Sequence, residues 1–422
     1  MKRTAAPALI GAALMLLTAC GVDGGGAAPP LDRGGDASAF EKLLARIPDT
    51  PTTRESLLIA DVAAVRNLAG IEPPGPDVGG EAIADYLRLL SQTGTNGPAT
   101  IFPRQEAWLA GLHEYALERP TWKGLGIDAR NVDQVAVFQE SAGPPTSVEV
   151  VAGRYDLESS SKALQECIEC PPPAVVEHNG VTFWSWGEDM KQSLHDRLKP
   201  PAFDFLGRGG RIWIGDGFAV RTLRTADMYG VVDASLDRAA SLADDDGYVL
   251  AARALAGVDA TSAIFSAASF RAEDLFERLK PLTTAGAFQT SEETLRDRLH
   301  EAPLLKPFEL VAVGTAFDGT DPFTALMLVH ETSRAASENA DLLRQRIETS
   351  MQPLNAPVGR KADESPRAEP RYWRDVIERY DIAADGRVLV ARLYGASAFS
   401  LLVPSDHLGF GGLPLTPLTV SE

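Results

Sequence analysis

The sequence predicts an α+β chain: two ββα-type units with antiparallel sheets covered by helices, preceded by a helical N-terminal segment. Three observations lead there. Asp216-Gly217 and Asp385-Gly386 each sit between alternating apolar runs, a strong local signal for a hairpin. The order strand, turn, strand, helix and later hairpin occurs twice, with Pro145 and Pro322 each just before a returning strand. The close strand pairs are joined by turns too short for a parallel crossover, which makes the sheets antiparallel. A chain of 422 residues, 45% hydrophobic, exceeds one ordinary core and carries enough apolar material for more than one.

The chain opens on a short positive segment, Met1-Lys2-Arg3, followed by an apolar run from Ala5 to Leu17. That run suits the core of an export signal and is too short to span a bilayer. It ends in Leu17-Thr18-Ala19-Cys20, a branched apolar residue and two small ones before a cysteine. This pattern resembles the signal of bacterial lipoproteins. The resemblance implies a leader at 1–19, cleavage before Cys20, and a diacylglycerol on the Cys20 thiol that holds the chain to the extracytoplasmic face of a membrane. Two acyl chains bury enough methylene groups for stable anchoring, where one is marginal. The alternative is an ordinary cleaved secretory signal that happens to carry a cysteine. Residues 20–38, rich in Gly, Pro and Ala, read as a flexible tether.

Residues 39–128 read as helical. Phe40, Leu43, Leu44 and Ile47 recur at helical spacing up to Pro48. Thr53-Arg54-Glu55-Ser56 reads as the cap of a helix running to Leu68, with Leu57, Leu58, Val62 and Val65 on one face. Further amphipathic stretches lie at Ile83–Leu90 and Gln105–Leu117. The first α+β unit, 129–258, takes strands near 135–138 and 148–152 and a helix from Asp156 or Ser159 to Glu166. It continues with the Asn179-Gly180 turn before a strand to Trp186, a helix near Met190–Leu198, the Asp216-Gly217 hairpin, and helices near 226–236 and 247–255. The second unit, 259–422, has strands at 309–316 and 323–329, a helix from Thr332 to Ile347 and a hairpin spanning 374–394. Duplication of one unit and coincidence of a common arrangement both account for the repeat.

Four segments follow one another along the chain: Leu43-Leu44-Ala45-Arg46-Ile47-Pro48-Asp49-Thr50-Pro51 with Asp61 soon after, Val151-Ala152-Gly153-Arg154-Tyr155-Asp156, Gly180-Val181-Thr182-Phe183-Trp184-Ser185-Trp186-Gly187, and Ser241-Leu242-Ala243-Asp244. In that order they resemble bacterial envelope proteins of the DUF3352 type, over residues 40 to 330. The resemblance is structural and carries no catalytic residue with it.

Charge excludes one class of partner. The chain carries −18, and losing Lys2 and Arg3 with the leader leaves 38 basic against 58 acidic residues, a balance of −20. Nucleic acid demands the opposite sign. Partners are therefore expected to be the membrane, through lipid on Cys20, and an unknown protein or small-molecule ligand.

Few residues suggest chemistry. Cys167 and Cys170 follow a helix and sit beside Glu166 and Glu169. That is the end of the helix dipole that disfavours a reactive thiolate. A structural disulfide is the favoured reading, and closing so short a loop adds roughly 2 kcal/mol or less. A redox pair, or a metal site with His178, are the alternatives. Ser159-Ser160-Ser161-Lys162 and Ser337-Glu338-Asn339 have spacings seen in penicillin-recognising enzymes, but the third motif of that class, Lys-Thr-Gly, does not occur. Helix capping explains the serines more simply. Asp244-Asp245-Asp246-Gly247 lacks the ligand alternation of a calcium loop and reads as a helix N-cap. Trp184 and Trp186 share one strand face, either as core or as an aromatic binding platform. The expectation is a lipid-anchored, non-catalytic binding or envelope-associated protein without a cofactor, against the alternative of an extracytoplasmic hydrolase with a dispersed active site.

Overall fold

Twelve strands and eight helices carry the fold among the described residues of the computed structural model. Those residues are 37–75, 78, 80–91, 130–139, 147–155, 157–165, 171–197, 203–204, 206–267, 304–349 and 377–395, with isolated positions between 273 and 296. The strands are β1 (Leu57–Asp61), β2 (Val132–Gln139), β3 (Ser147–Gly153), β4 (Ala174–His178), β5 (Val181–Ser185), β6 (Arg211–Gly215), β7 (Phe218–Thr222), β8 (Ala260–Ser266), β9 (Leu310–Phe317), β10 (Pro322–Val329), β11 (Arg379–Asp385) and β12 (Val388–Tyr394). The helices are α1 (Ala39–Leu44), α2 (Pro51–Glu55), α3 (Val62–Ala69), α4 (Gly80–Ser91), α5 (Leu157–Gln165), α6 (Thr225–Ser235), α7 (Asp246–Ala256) and α8 (Ser333–Thr349).

The strands join in one antiparallel sheet in the order β11-β12-β10-β9-β8-β1-β2-β3-β7-β6-β5-β4. The chain is thus mixed α/β and dominated by its sheet. Where two sheets were expected, β1 and β8 pair at the centre, Leu57 opposite Phe265 and Ile59 opposite Ala263, and merge the strands of both stretches.

Both faces of the inner strands are covered, while the edge strands β4 and β11 are largely exposed. Alternate side chains such as Leu57, Ile59, Val150, Val220, Phe265 and Met327 meet α1, α6 and α7 through Phe40, Leu43, Met228, Val232, Tyr248 and Leu255. On the opposite face, Val135, Val137, Val151, Ile212 and Ala219 pack with Val65, Tyr86, Leu90 and Leu164 of α3, α4 and α5. Farther along that face, Val311, Val313, Leu326, Leu328 and Leu389 meet Ala340, Leu343 and Ile347 of α8.

This two-sided burial corrects the reading of 53–68 as one helix. Leu57 to Ala60 are all buried, so they form a central strand, and Asp61 then caps the separate helix α3 by accepting from the Ala64 amide. A continuous apolar run does not distinguish a buried strand from a buried helix. The same ambiguity conceals β8 in the sequence.

Among the described residues 190–197, the helix expected near Met190–Leu198 does not form. There the chain makes turns, with Met190 at φ 60°, and Gly207 lies so close that a Cβ on it would meet the Ser193 carbonyl oxygen at 1.8 Å. The Asn179-Gly180 turn takes positive φ at both residues, 52° and 82°, the geometry that suits the twist of a two-residue hairpin. The amphipathic stretch at Gln105–Leu117 lies outside the described residues.

Candidate functional site

Two of the segments that carry the resemblance meet in space. Ile47 to Pro51 and Ala240 to Asp245 lie side by side: the Asp49 amide donates to the Ala240 carbonyl at 2.9 Å, and the Leu242 amide to the Ile47 carbonyl at 2.9 Å. Arg54 reaches Asp49 at 2.8 Å and Asp245 at 2.7 Å. Those carboxylates hold its pKa above the usual arginine value, against the opposing effect of burial. Asp245 is also the N-cap of α7, accepting from the Gly247 and Tyr248 amides. This clasp therefore spends its charges on positioning α2 and α7, as the capping reading of the aspartates expected.

A second charged cluster among the described residues is buried in the sheet, and no motif in the linear pattern marks it. Glu149 on β3 stands directly opposite Arg221 on β7, and they are 1% and 2% exposed. Asp204 and Arg208 form a buried ion pair beside them, Nη2 to Oδ2 at 2.6 Å. Arg211 donates to the carbonyls of Gly209 at 3.0 Å and Gly187 at 3.1 Å, and also pairs with Asp189. Asp189 in turn accepts from the Thr225 amide at 2.9 Å, which caps α6, whose own N-cap residue Arg224 makes no side-chain cap bond. Burial pushes the Arg221 guanidinium below its usual pKa, while Asp204 and Glu149 push it back up. A charge on a strand covered on both faces must find partners in the interior. The available signal was a glutamate and an arginine each standing inside an apolar strand run.

The tryptophans share a face, as their spacing predicts, but it is buried. Trp184 is 6% and Trp186 1% exposed, packed with Val151, Leu164, Phe203 and Ile212. The aromatic platform is therefore corrected to core, because the face it needs is occupied. Trp186 Nε1 donates to the Pro171 carbonyl at 2.9 Å. Cys20, Cys167 and Cys170 lie outside the described residues.

The two serine motifs are set apart. Ser159 and Lys162 face solvent on α5, while Asn339 is buried on α8 and bonds the Lys306 backbone and His330. His178 Nε2 lies 2.9 Å from Asp233 and its ring stacks on Tyr229 at 4.0 Å, fastening the β4–β5 turn to α6. Among the described residues no group of three or more His, Cys, Asp or Glu side chains is placed to hold a metal ion. Also among them, no helix is long and apolar enough to cross a membrane.

No model of a known protein family matches the chain, and no curated protein matches it. Among solved structures, crystal forms I and III of TP0453 are similar to it at 7% and 9% identity, with TM-scores of 0.33 and 0.36. Each alignment covers 84% of this chain, and 93% and 94% of the respective TP0453 chains. Scores this low leave the fold to be argued from the chain itself.

Proposed function

We propose that the mature chain begins at Cys20, is held by lipid on that residue to the extracytoplasmic face of a membrane, and acts there as a non-catalytic binding or envelope-associated protein. The observation that carries this reading is Leu17-Thr18-Ala19-Cys20 at the end of a short apolar run. The residues after the cysteine support it. Residues 20–38 have the Gly-, Pro- and Ala-rich composition of a tether, and Ser38 at their end is the N-cap of α1, the first described helix. The acidic balance of the mature chain favours a body standing in solvent away from anionic headgroups. Its partner is a protein or a small molecule rather than nucleic acid.

The finer architecture belongs to the same proposal. β1-β2-β3, α5 and the β6–β7 hairpin, with β7 against β3, correspond to β8-β9-β10, α8 and the β11–β12 hairpin, with β12 against β10. Two copies of one ββα-type unit, joined at β1 and β8, account for that order, with β4–β5 added in the first.

Metabolic labelling with palmitate tests the anchor. The wild-type protein is expected to take up label, and Cys20→Ala to take up none. Equal labelling of both, or of neither, contradicts the proposal.

A further inference from the structure

His330 is 0% exposed and sits where four segments meet: the end of β10, the start of β12, α8 and the stretch 304–309. Its hydrogen bonds determine its protonation state. Asn339 Oδ1 accepts from the Lys306 amide at 2.6 Å, and Asn339 Nδ2 donates to the Lys306 carbonyl at 3.0 Å. The Asn339 amide is therefore fixed in one orientation. Its Nδ2 also lies 2.7 Å from His330 Nε2, so Nε2 must be the acceptor. The ring proton then resides on Nδ1, 3.3 Å from the Arg387 carbonyl, which accepts it.

Protonating His330 would set two donors, Nε2–H and Nδ2–H, against each other in a buried space. The charged groups around it do not compensate. Arg387 donates through Nε to the His330 carbonyl at 2.7 Å and pairs with Glu309 at 2.7 Å. Lys306 belongs to the latched segment, and Glu331, the residue after the histidine, is exposed. Phe308 meets the ring edge-on at 6.3 Å.

We propose that His330 and Asn339 form an acid-released latch: the neutral imidazole holds Asn339, Asn339 holds the backbone at Lys306, and a proton on His330 frees the 304–308 segment from α8. Release uncovers Leu305, fully buried beside Val311 and Leu343, and Phe308, packed on the same cluster. The latch does not depend on lipid at Cys20, so failure of either proposal leaves the other standing.

The sign comes from linkage. Burial lowers the His330 pKa in the folded state below its ordinary 6.5, against the raising effect of the Arg387 and Leu328 carbonyls. The closed form is therefore fully favoured above that value and loses ground as pH falls beneath it. Hydrogen exchange of the intact protein at pH 7.5 and 5.0, with exchange chemistry corrected for pH, reads the latch at the Lys306 amide. Protection there is expected to fall by up to about 30-fold, the limit when only the opened histidine takes up a proton. Protection at Ala136–Phe138 in β2 is expected to hold.

The variant Asn339→Asp supplies an acceptor to a protonated Nε2 but loses the donor to the Lys306 carbonyl, so its protection at Lys306 should start lower than the wild type at pH 7.5 and should no longer fall with acid. The NMR titration of His330 in the wild-type protein gives a reading that does not require a variant to fold. Protection at Lys306 that stays level with pH would overturn the latch. So would an Asn339→Asp protein with the wild-type pH profile, or His330 titrating at or above 6.5.

Discussion

Arg221→Met alone is expected to destabilise the protein by about 3–5 kcal/mol, because it strands Glu149 as a buried charge that has lost its facing cation. Arg221 also lies in the field of Asp204, which keeps its own partner in Arg208, whereas Glu149 loses the cation that faces it across β3 and β7. The double variant Arg221→Met with Glu149→Leu is expected to recover most of that loss, since well-packed apolar side chains of similar size often match or exceed a buried ion pair. Urea unfolding midpoints of the wild type, both single variants and the double variant give the coupling directly. Single variants with unchanged midpoints would mean that water reaches these groups.

Ile59→Ala is expected to cost about 2–5 kcal/mol, as for other fully buried isoleucines. The more telling outcome is which parts unfold. Ile59 sits on β1 between Ala136 of β2 and Ala263 of β8, at the seam of the sheet. A single sheet predicts that reporters in 132–222 and in 310–394 shift their midpoints together. Two independent units would let the second group of reporters stay where they are in the wild type.

Legibility in the sequence depends on how local each cause is. The Asn179-Gly180, Asp216-Gly217 and Asp385-Gly386 turns were legible because the backbone geometry is imposed by the residues that occupy it. Helices α5 to α8 fall where the sequence places helices, between turn signals and polar capping residues. β1 and β8 were not, because burial on both sides erases the alternation that marks a strand. In β8 the polar residues are satisfied inside the sheet, with Ser262 Oγ at 2.8 Å from Thr315 Oγ1 and Ser266 Oγ donating to the Glu55 carbonyl at 2.6 Å. Their spacing therefore reported no solvent face.

The charge cluster was hidden for a related reason. Glu149, Asp204 and Arg221 are far apart along the chain, and only the pairing of β3 with β7 brings the first and last together. The tryptophan face is legible as a face, but its occupancy depends on residues such as Leu164 and Phe203 that no local pattern links to it. His330 is one scattered histidine among six in the sequence, and its meaning rests on Asn339 and on a backbone contact with Lys306. The proposed lipid anchor is the reverse case, since the pattern it rests on lies in a few consecutive residues, Leu17 to Cys20.

The most direct test is the mass of the N-terminal peptide of the protein recovered from bacterial membranes. The expected species starts at Cys20, lacks residues 1–19 and carries diacylglycerol on its sulfur. A first residue other than Cys20, or a Cys20 with an unmodified thiol, would contradict the account.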